Sequence, residues 1–179
     1  MIDNTFIFHS DIKNTEVLQD SRPLIPSYRF DDLMDELLEG PYLIADILPC
    51  QVPAGSGGQY FSMERYFLQP ERISTLRRRF AEILLRLNCY FDMAVSFDSC
   101  RTWELNPDPE GFAAMLESLS GNCFLRALFE EQRMMIDIEH DNTYMTVYGK
   151  DPRLLDKLHA LASAEGLFVW SPPESEGET

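Results

Sequence analysis

No stretch of this 179-residue chain approaches the roughly 20 consecutive apolar residues that a membrane-spanning helix requires. The start, Met1-Ile2-Asp3-Asn4-Thr5, lacks the basic region and long apolar segment of a signal peptide. A cytoplasmic location is therefore expected. The four cysteines (Cys50, Cys89, Cys100, Cys123) show no CxxC or CxxH spacing. In a reducing compartment they read as free, partly buried thiols.

Histidine is scarce, with only His9, His140 and His159. His159 falls among leucines of a helical pattern and reads as a half-buried core histidine, not a base. No GxSxG elbow is present, so a nucleophile made from Cys123 or from serine finds no matching motif. Gly55-Ser56-Gly57-Gly58 follows an apolar run, but no Lys-Ser/Thr pair completes a Walker loop. It reads as a mobile loop. Asp137, Glu139, His140 and Asp141 cluster in sequence, yet strand alternation separates His140 from the first two, and no second histidine lies at ligand spacing. No metal or cofactor is expected, and the chain reads more as a non-enzyme than as an enzyme.

What the chain does have is acidity. Thirty acidic residues against fifteen basic ones give a formal net charge of −15. Nucleic acids and anionic membranes demand a basic surface, so both are disfavoured as partners. A basic protein suits the charge. The positive charge that exists is concentrated: Arg65, Arg72, Arg77, Arg78, Arg79 and Arg86 fall close together. Arginines lacking the aromatic interleaving of a nucleic-acid module do not read as a nucleic-acid grip; internal acids and solvent are both open to them.

Length and composition fit one domain over residues 1–170, with residues 1–26 a loosely packed arm and 171–179 a disordered Pro/Glu/Ser/Gly tail. Thr5–Phe8 reads as a short edge strand. Asp31–Glu39 reads as a short helix stopped by Gly40-Pro41. Its acids Asp32, Asp35, Glu36 and Glu39 repel one another and call for a counter-charge, which the arginine segment or a basic partner could supply. Tyr42–Leu48 is an apolar run of strand length, Cys50–Gln59 a loop, and Tyr60–Leu68 a strand. Pro70 opens a long helix to Asn88.

The remainder uses one grammar twice. Strands Tyr90–Phe97 and Arg101–Leu105 flank a turn at Asp98-Ser99. Asp108-Pro109 then opens a helix to Leu119, before a strand Cys123–Leu128. Strands Met134–Glu139 and Thr143–Tyr148 flank Asp141-Asn142. Asp151-Pro152 then opens a helix to Ala164, before a strand Leu167–Trp170. Each Asp suits an N-cap and each Pro the first helical position. The pattern fits tandem ββαβ units or chance reuse of one grammar.

The predicted fold is α+β: an antiparallel or mixed sheet with three to four helices mostly on one face. Those helices would bury Ile73, Leu76, Phe80, Ile83, Leu84, Leu87, Phe112, Met115, Leu116, Leu119, Leu154, Leu155, Leu158 and Leu161. A two-residue turn at Asp141-Asn142 fixes the register of the second hairpin. Ile136, Ile138, Met145 and Val147 then point to the core. Asp137, Glu139, Tyr144, Thr146 and Tyr148 share the other face, which would meet solvent.

Three functional readings follow. The first is a protein-binding module, for example an immunity-type inhibitor, that offers Asp137, Glu139, Tyr144 and Tyr148 to a basic partner; an ordinary solvated sheet face is its alternative. The second is a small-anion binder or enzyme with a site at the Gly55–Gly58 loop. There Gly57, Gly58, Arg65 and Arg72 would hold the anion, with Cys50 nearby. The third is a homo-oligomeric structural domain whose edge strands pair.

Overall fold

The computed structural model describes residues 25–97, 100–120 and 123–173. The Thr5–Phe8 strand, nearly all of the N-terminal arm, the Asp98-Ser99 turn and the tail beyond residue 173 lie outside them.

The strands are β1 (Ile25–Pro26), β2 (Tyr42–Asp46), β3 (Ala94–Ser96), β4 (Thr102–Leu105), β5 (Phe124–Phe129), β6 (Met134–Glu139), β7 (Tyr144–Tyr148) and β8 (Phe168–Trp170). The helices are α1 (Asp31–Leu38), α2 (Gly57–Phe67), α3 (Pro70–Asn88), α4 (Pro109–Glu117) and α5 (Pro152–Ala164). One eight-stranded sheet runs in the order β1-β4-β3-β5-β6-β7-β2-β8, with antiparallel pairing throughout. The fold class is α+β, as predicted.

Several elements follow directly from local chemistry. Pro70 and Glu71 occupy the first turn of α3. Ile73, Leu76, Phe80, Ile83, Leu84 and Leu87 recur at helical spacing, and all are buried. Asp108 caps α4 by accepting from the Gly111 amide (2.8 Å). Asp151 caps α5 by accepting from the amides of Arg153 and Leu154 (both 3.0 Å). The β6–β7 hairpin pairs Ile136 with Val147 and Asp137 with Thr146, in the predicted register.

Helices α3, α4 and α5 pack on one sheet face against Val95, Ala127, Ile136, Ile138, Met145 and Val147. Each large side chain fully buried there contributes about 1.5–3 kcal/mol. Met115, predicted to be buried, is 46% exposed, because α4 turns that flank outward. Leu155 and Leu161 reach only the margin of this core. His159 is exposed, since its flank of α5 faces away from the sheet.

The opposite face is not simply open to solvent. Phe30 and α1 residues Met34 and Leu37 build a second core there with Ala94, Trp103, Leu128 and Met135. Phe30 meets Trp103 edge to face at 5.1 Å between centroids. This placement also corrects the expected pairing of α1 with the arginine helix. The two helices lie on opposite faces, and Glu36 of α1 pairs instead with Arg133.

Three further expectations are revised. The predicted loop at Gly57–Gln59 and strand from Tyr60 are a single helix, α2. It fully buries none of its residues; Tyr60, Met63 and Phe67 are half-buried at helical spacing while Phe61 and Tyr66 are exposed, so its amphipathic signature is weak. Local contacts along it include Ser62 donating to the Gly58 carbonyl (2.9 Å) and Tyr60 to Glu64 (3.2 Å). Second, β3 is shorter than predicted, because Tyr90 and Phe91 donate back to the Leu87 carbonyl and prolong the end of α3 as a turn. Third, the repeated grammar does not repeat in space. β5 pairs with β3 of its own unit, whereas β8 pairs with β2 and is separated from β6 by two strands.

Candidate functional site

β2 lies between β7 and β8 and extends the second face beyond the reach of α1. In its two ladders Tyr42 opposes Tyr148, Ile44 opposes Thr146 and Trp170, and Asp46 opposes Tyr144 and Phe168. Opposed residues of antiparallel strands share a face. Asp46, Tyr42 and Trp170 therefore join the acidic, tyrosine-bearing face predicted from the β6–β7 hairpin. Tyr42 is 43% and Phe168 48% exposed.

At the β2 end of this face the loop Cys50–Pro53 and the start of α2 rise over the sheet and enclose a cleft of about 420 Å³. Its walls include Tyr42, Tyr60, Tyr144 and Trp170, and its lining includes Ile44 and Asp46. The Trp170 indole N–H donates to the Leu48 carbonyl (3.0 Å) and fixes the ring beside the cleft.

Asp46 is the unusual group. It is 6% exposed, and its buried Oδ1 has no hydrogen-bond partner. Burial pushes its carboxyl up to about 6, against the opposing pull of backbone hydrogen bonds from Leu48 and Ile47. Tyr60 is pushed up to about 12, first by burial, then by Glu64, with Asp46 adding. Tyr144 is raised by burial first and then by Glu139 and Asp46. Both phenols stay protonated at neutral pH and keep an O–H to donate. Among the described residues, no lysine, arginine or histidine lines the cleft.

Of the predicted protein-binding residues, Asp137 is not available for steering. Arg126 holds it by a two-pronged ion pair, Nε to Oδ1 at 2.8 Å and Nη2 to Oδ2 at 2.6 Å. The two oppose each other directly across β5 and β6. Burial pulls the Arg126 pKa down, but the hydrogen bonds and charge of Asp137 outweigh it and raise the net value. Glu139 stands exposed at the end of β6 and accepts from the Asn142 amide (3.1 Å). Tyr148 is half-buried and tilts against Tyr42 at 5.9 Å. Tyr144 lines the cleft. Glu139, Tyr144 and Tyr148 thus share the face, while Asp137 is neutralised within it.

The predicted anion-binding set is not brought together. Gly57 touches the cleft and Gly58 sits in the first turn of α2. Arg65 and Arg72 do not line it, and the Arg72 guanidinium lies over the Tyr66 ring at 3.6 Å. The cleft carries a carboxylate where an anion site would carry a cation. Other arginines of α3 are engaged within the fold. Arg77 is buried and donates to the carbonyls of Glu117, Leu119 and His140. Arg78 pairs with Glu117, and Arg86 with Glu82 and Glu165.

Cys50, Cys89 and Cys123 are exposed and Cys100 is buried, which corrects the expectation of four partly buried thiols. Among the described residues no three His, Cys, Asp or Glu side chains converge to hold a metal ion, and no helix is long and apolar enough to cross a membrane. Sequence reasoning missed Asp46, Tyr42, Tyr60 and Trp170. One signal was present: Asp46 interrupts the apolar run Tyr42–Leu48. No family model, curated protein or solved structure matches the chain.

Proposed function

We propose that this protein is a non-enzymatic, cytoplasmic binding module that engages a basic protein through the β6–β7–β2–β8 part of its second sheet face. The observation that carries the reading is the composition of that face at and beyond the margin of the α1 core, against which Tyr148 packs. It combines Tyr42, Tyr144, Tyr148 and Phe168 with Glu139, in a chain of net charge −15. Tyrosines provide contact area at low entropy cost, and carboxylates accelerate encounter with a cationic surface. The internal engagement of the α3 arginines leaves this acidity uncompensated. Pairing of sheet edges between copies is less well supported, because β1 and β8 are only two and three residues long.

The test begins with capture of a basic protein from native-host lysate. Its association rate is then measured with the wild-type chain and with the exposed acids reversed, Glu139→Lys with Asp141→Lys. The rate is expected to fall about tenfold at low salt, and the difference to shrink at high salt. An unchanged rate, or the absence of any retained basic protein, refutes this face as the binding surface.

A further inference from the structure

Burying a carboxylate is costly unless a cation or several hydrogen-bond donors compensate it. This fold meets that rule at Asp137, which Arg126 grips with two hydrogen bonds. At Asp46 it is met only in part: backbone hydrogen bonds from Leu48 and Ile47 reach the carboxyl, but Oδ1 is buried without a partner, and among the described residues no cationic side chain lines the cleft beside it. What surrounds Asp46 is aromatic. Four rings, from Tyr42, Tyr60, Tyr144 and Trp170, line the same cleft. Aromatic faces carry negative quadrupole potential and attract cations, more strongly where water is excluded.

The chemistry of the complement follows by elimination. A phosphate or carboxylate would meet Asp46 at like charge. A hard metal ion wants six or more oxygen ligands and is held mainly by carboxylates, and the lining supplies a single carboxylate, with Gln51 and Cys50 as the other non-aromatic polar side chains. A neutral apolar ligand would bury Asp46 further without compensating it. An organic cation, an ammonium or guanidinium on an alkyl stem, satisfies the carboxylate and rings together, with Ile44 beside the stem.

We propose that the Asp46 cleft receives the lysine or arginine side chain of a basic protein partner, with Asp46 as counter-ion and the four rings as walls. The inference rests on the binding-module reading above and names its anchor. The cleft opens on the same face as Glu139, Tyr144 and Tyr148. A partner steered to that face would present a cationic side chain to it, and central pockets of this kind concentrate binding energy.

The test uses the full-length chain, labelled with nitrogen-15, and the two indole resonances. Trp170 lines the cleft, whereas Trp103 is fully buried in the α1 core and serves as an internal control. The probes are Nα-acetyl-arginine N-methylamide, its lysine equivalent, the neutral citrulline equivalent, and a decaarginine peptide. Both single-residue cations are expected to shift the Trp170 indole saturably, with Trp103 unmoved and citrulline inert. Asp46→Asn is expected to weaken them about tenfold or more, with its thermal melt showing that it is folded. Decaarginine is expected to bind more tightly than either single residue.

An equal response to citrulline, an unchanged affinity in Asp46→Asn, or a silent Trp170 overturns the proposal. If decaarginine still perturbs the amides of Glu139, Tyr144 and Tyr148 in a salt-sensitive way while Trp170 is silent, the cleft fails and the binding face stands. If decaarginine perturbs neither, both readings fall. If the single residues bind and decaarginine does not, the cleft is a site for free small amines and the partner's side chain is ruled out as its source.

Discussion

Asp137 and Asp46 are two carboxylates on one face of one sheet, and they differ most in how their charge is met. Asp137 faces Arg126 across a strand pair and is held at two points. Asp46 faces Tyr144 on one side and Phe168 on the other, and one of its oxygens is buried with no partner. The first arrangement is complete within the chain. The second costs the fold stability, because burial outweighs the backbone hydrogen bonds from Leu48 and Ile47 that favour the charged form. Unrelieved cost of this kind concentrates at sites that something else must complete.

The strongest way to break the comparison is to orphan Asp137. Arg126→Met should destabilise the fold by about 3–5 kcal/mol, because it leaves a buried charge without its partner. Urea unfolding monitored by circular dichroism measures this, and a loss under 1 kcal/mol would show that Asp137 is solvated after all. The second variant sharpens the contrast in the opposite direction. The folded-state pKa of Asp46 is raised from 3.8 to about 6. The folded state therefore binds more protons than the unfolded state between these values. Asp46's contribution to stability is full below about pH 4 and is lost as pH rises through 6.

Asp46→Asn should consequently stabilise the protein by about 1–3 kcal/mol at pH 7, with no gain near pH 4. The same urea titrations at the two pH values measure it; destabilisation at pH 7 would mean that the carboxylate has an internal partner. The smallest effect belongs to an exposed pair. Glu36 and Arg133 are in contact, but both side chains are about 60% exposed. Glu36→Gln should shift stability by less than about 0.5 kcal/mol, and a larger loss by the same assay would show that α1 depends on this pair.

Much of the frame was legible because it is written locally. The apolar period of Ile73–Leu87, the Asp-Pro caps at 108–109 and 151–152, and the register of the β6–β7 hairpin each depend on residues within one or two turns of each other. The face shared by Glu139, Tyr144 and Tyr148 followed from that register. α2 was hard to read because its half-buried stripe of Tyr60, Met63 and Phe67 is interrupted by exposed Phe61 and Tyr66, and aromatics on both sides mimic a strand. Asp137 was misjudged because its partner, Arg126, lies on β5, whose pairing with β6 no short-range pattern fixes. Asp46 was missed for the same reason. β2 enters the sheet between β7 and β8, so its neighbours come from residues about 100 or more positions later in the chain. Within the run Tyr42–Leu48 it is one acid among apolar residues, and only the assembled sheet shows it buried without a counter-charge.

The central claim, that Asp46 is a buried carboxylate awaiting an external cation, is tested most directly by titrating that carboxyl. Carbon-13 NMR of the wild-type chain follows it from pH 3 to pH 8, with and without Nα-acetyl-arginine N-methylamide. The groups around it are Tyr42 on β2, Tyr144 on β7, Tyr60 on α2 and Cys50 on the adjoining loop; the raised phenols of Tyr60 and Tyr144 remain neutral over this range. A midpoint near 6 that falls when the arginine derivative is added is the expected result, because a cation favours the ionised form. A midpoint near 3.8 that the cation does not move would contradict it, and would make Asp46 an ordinary solvated acid.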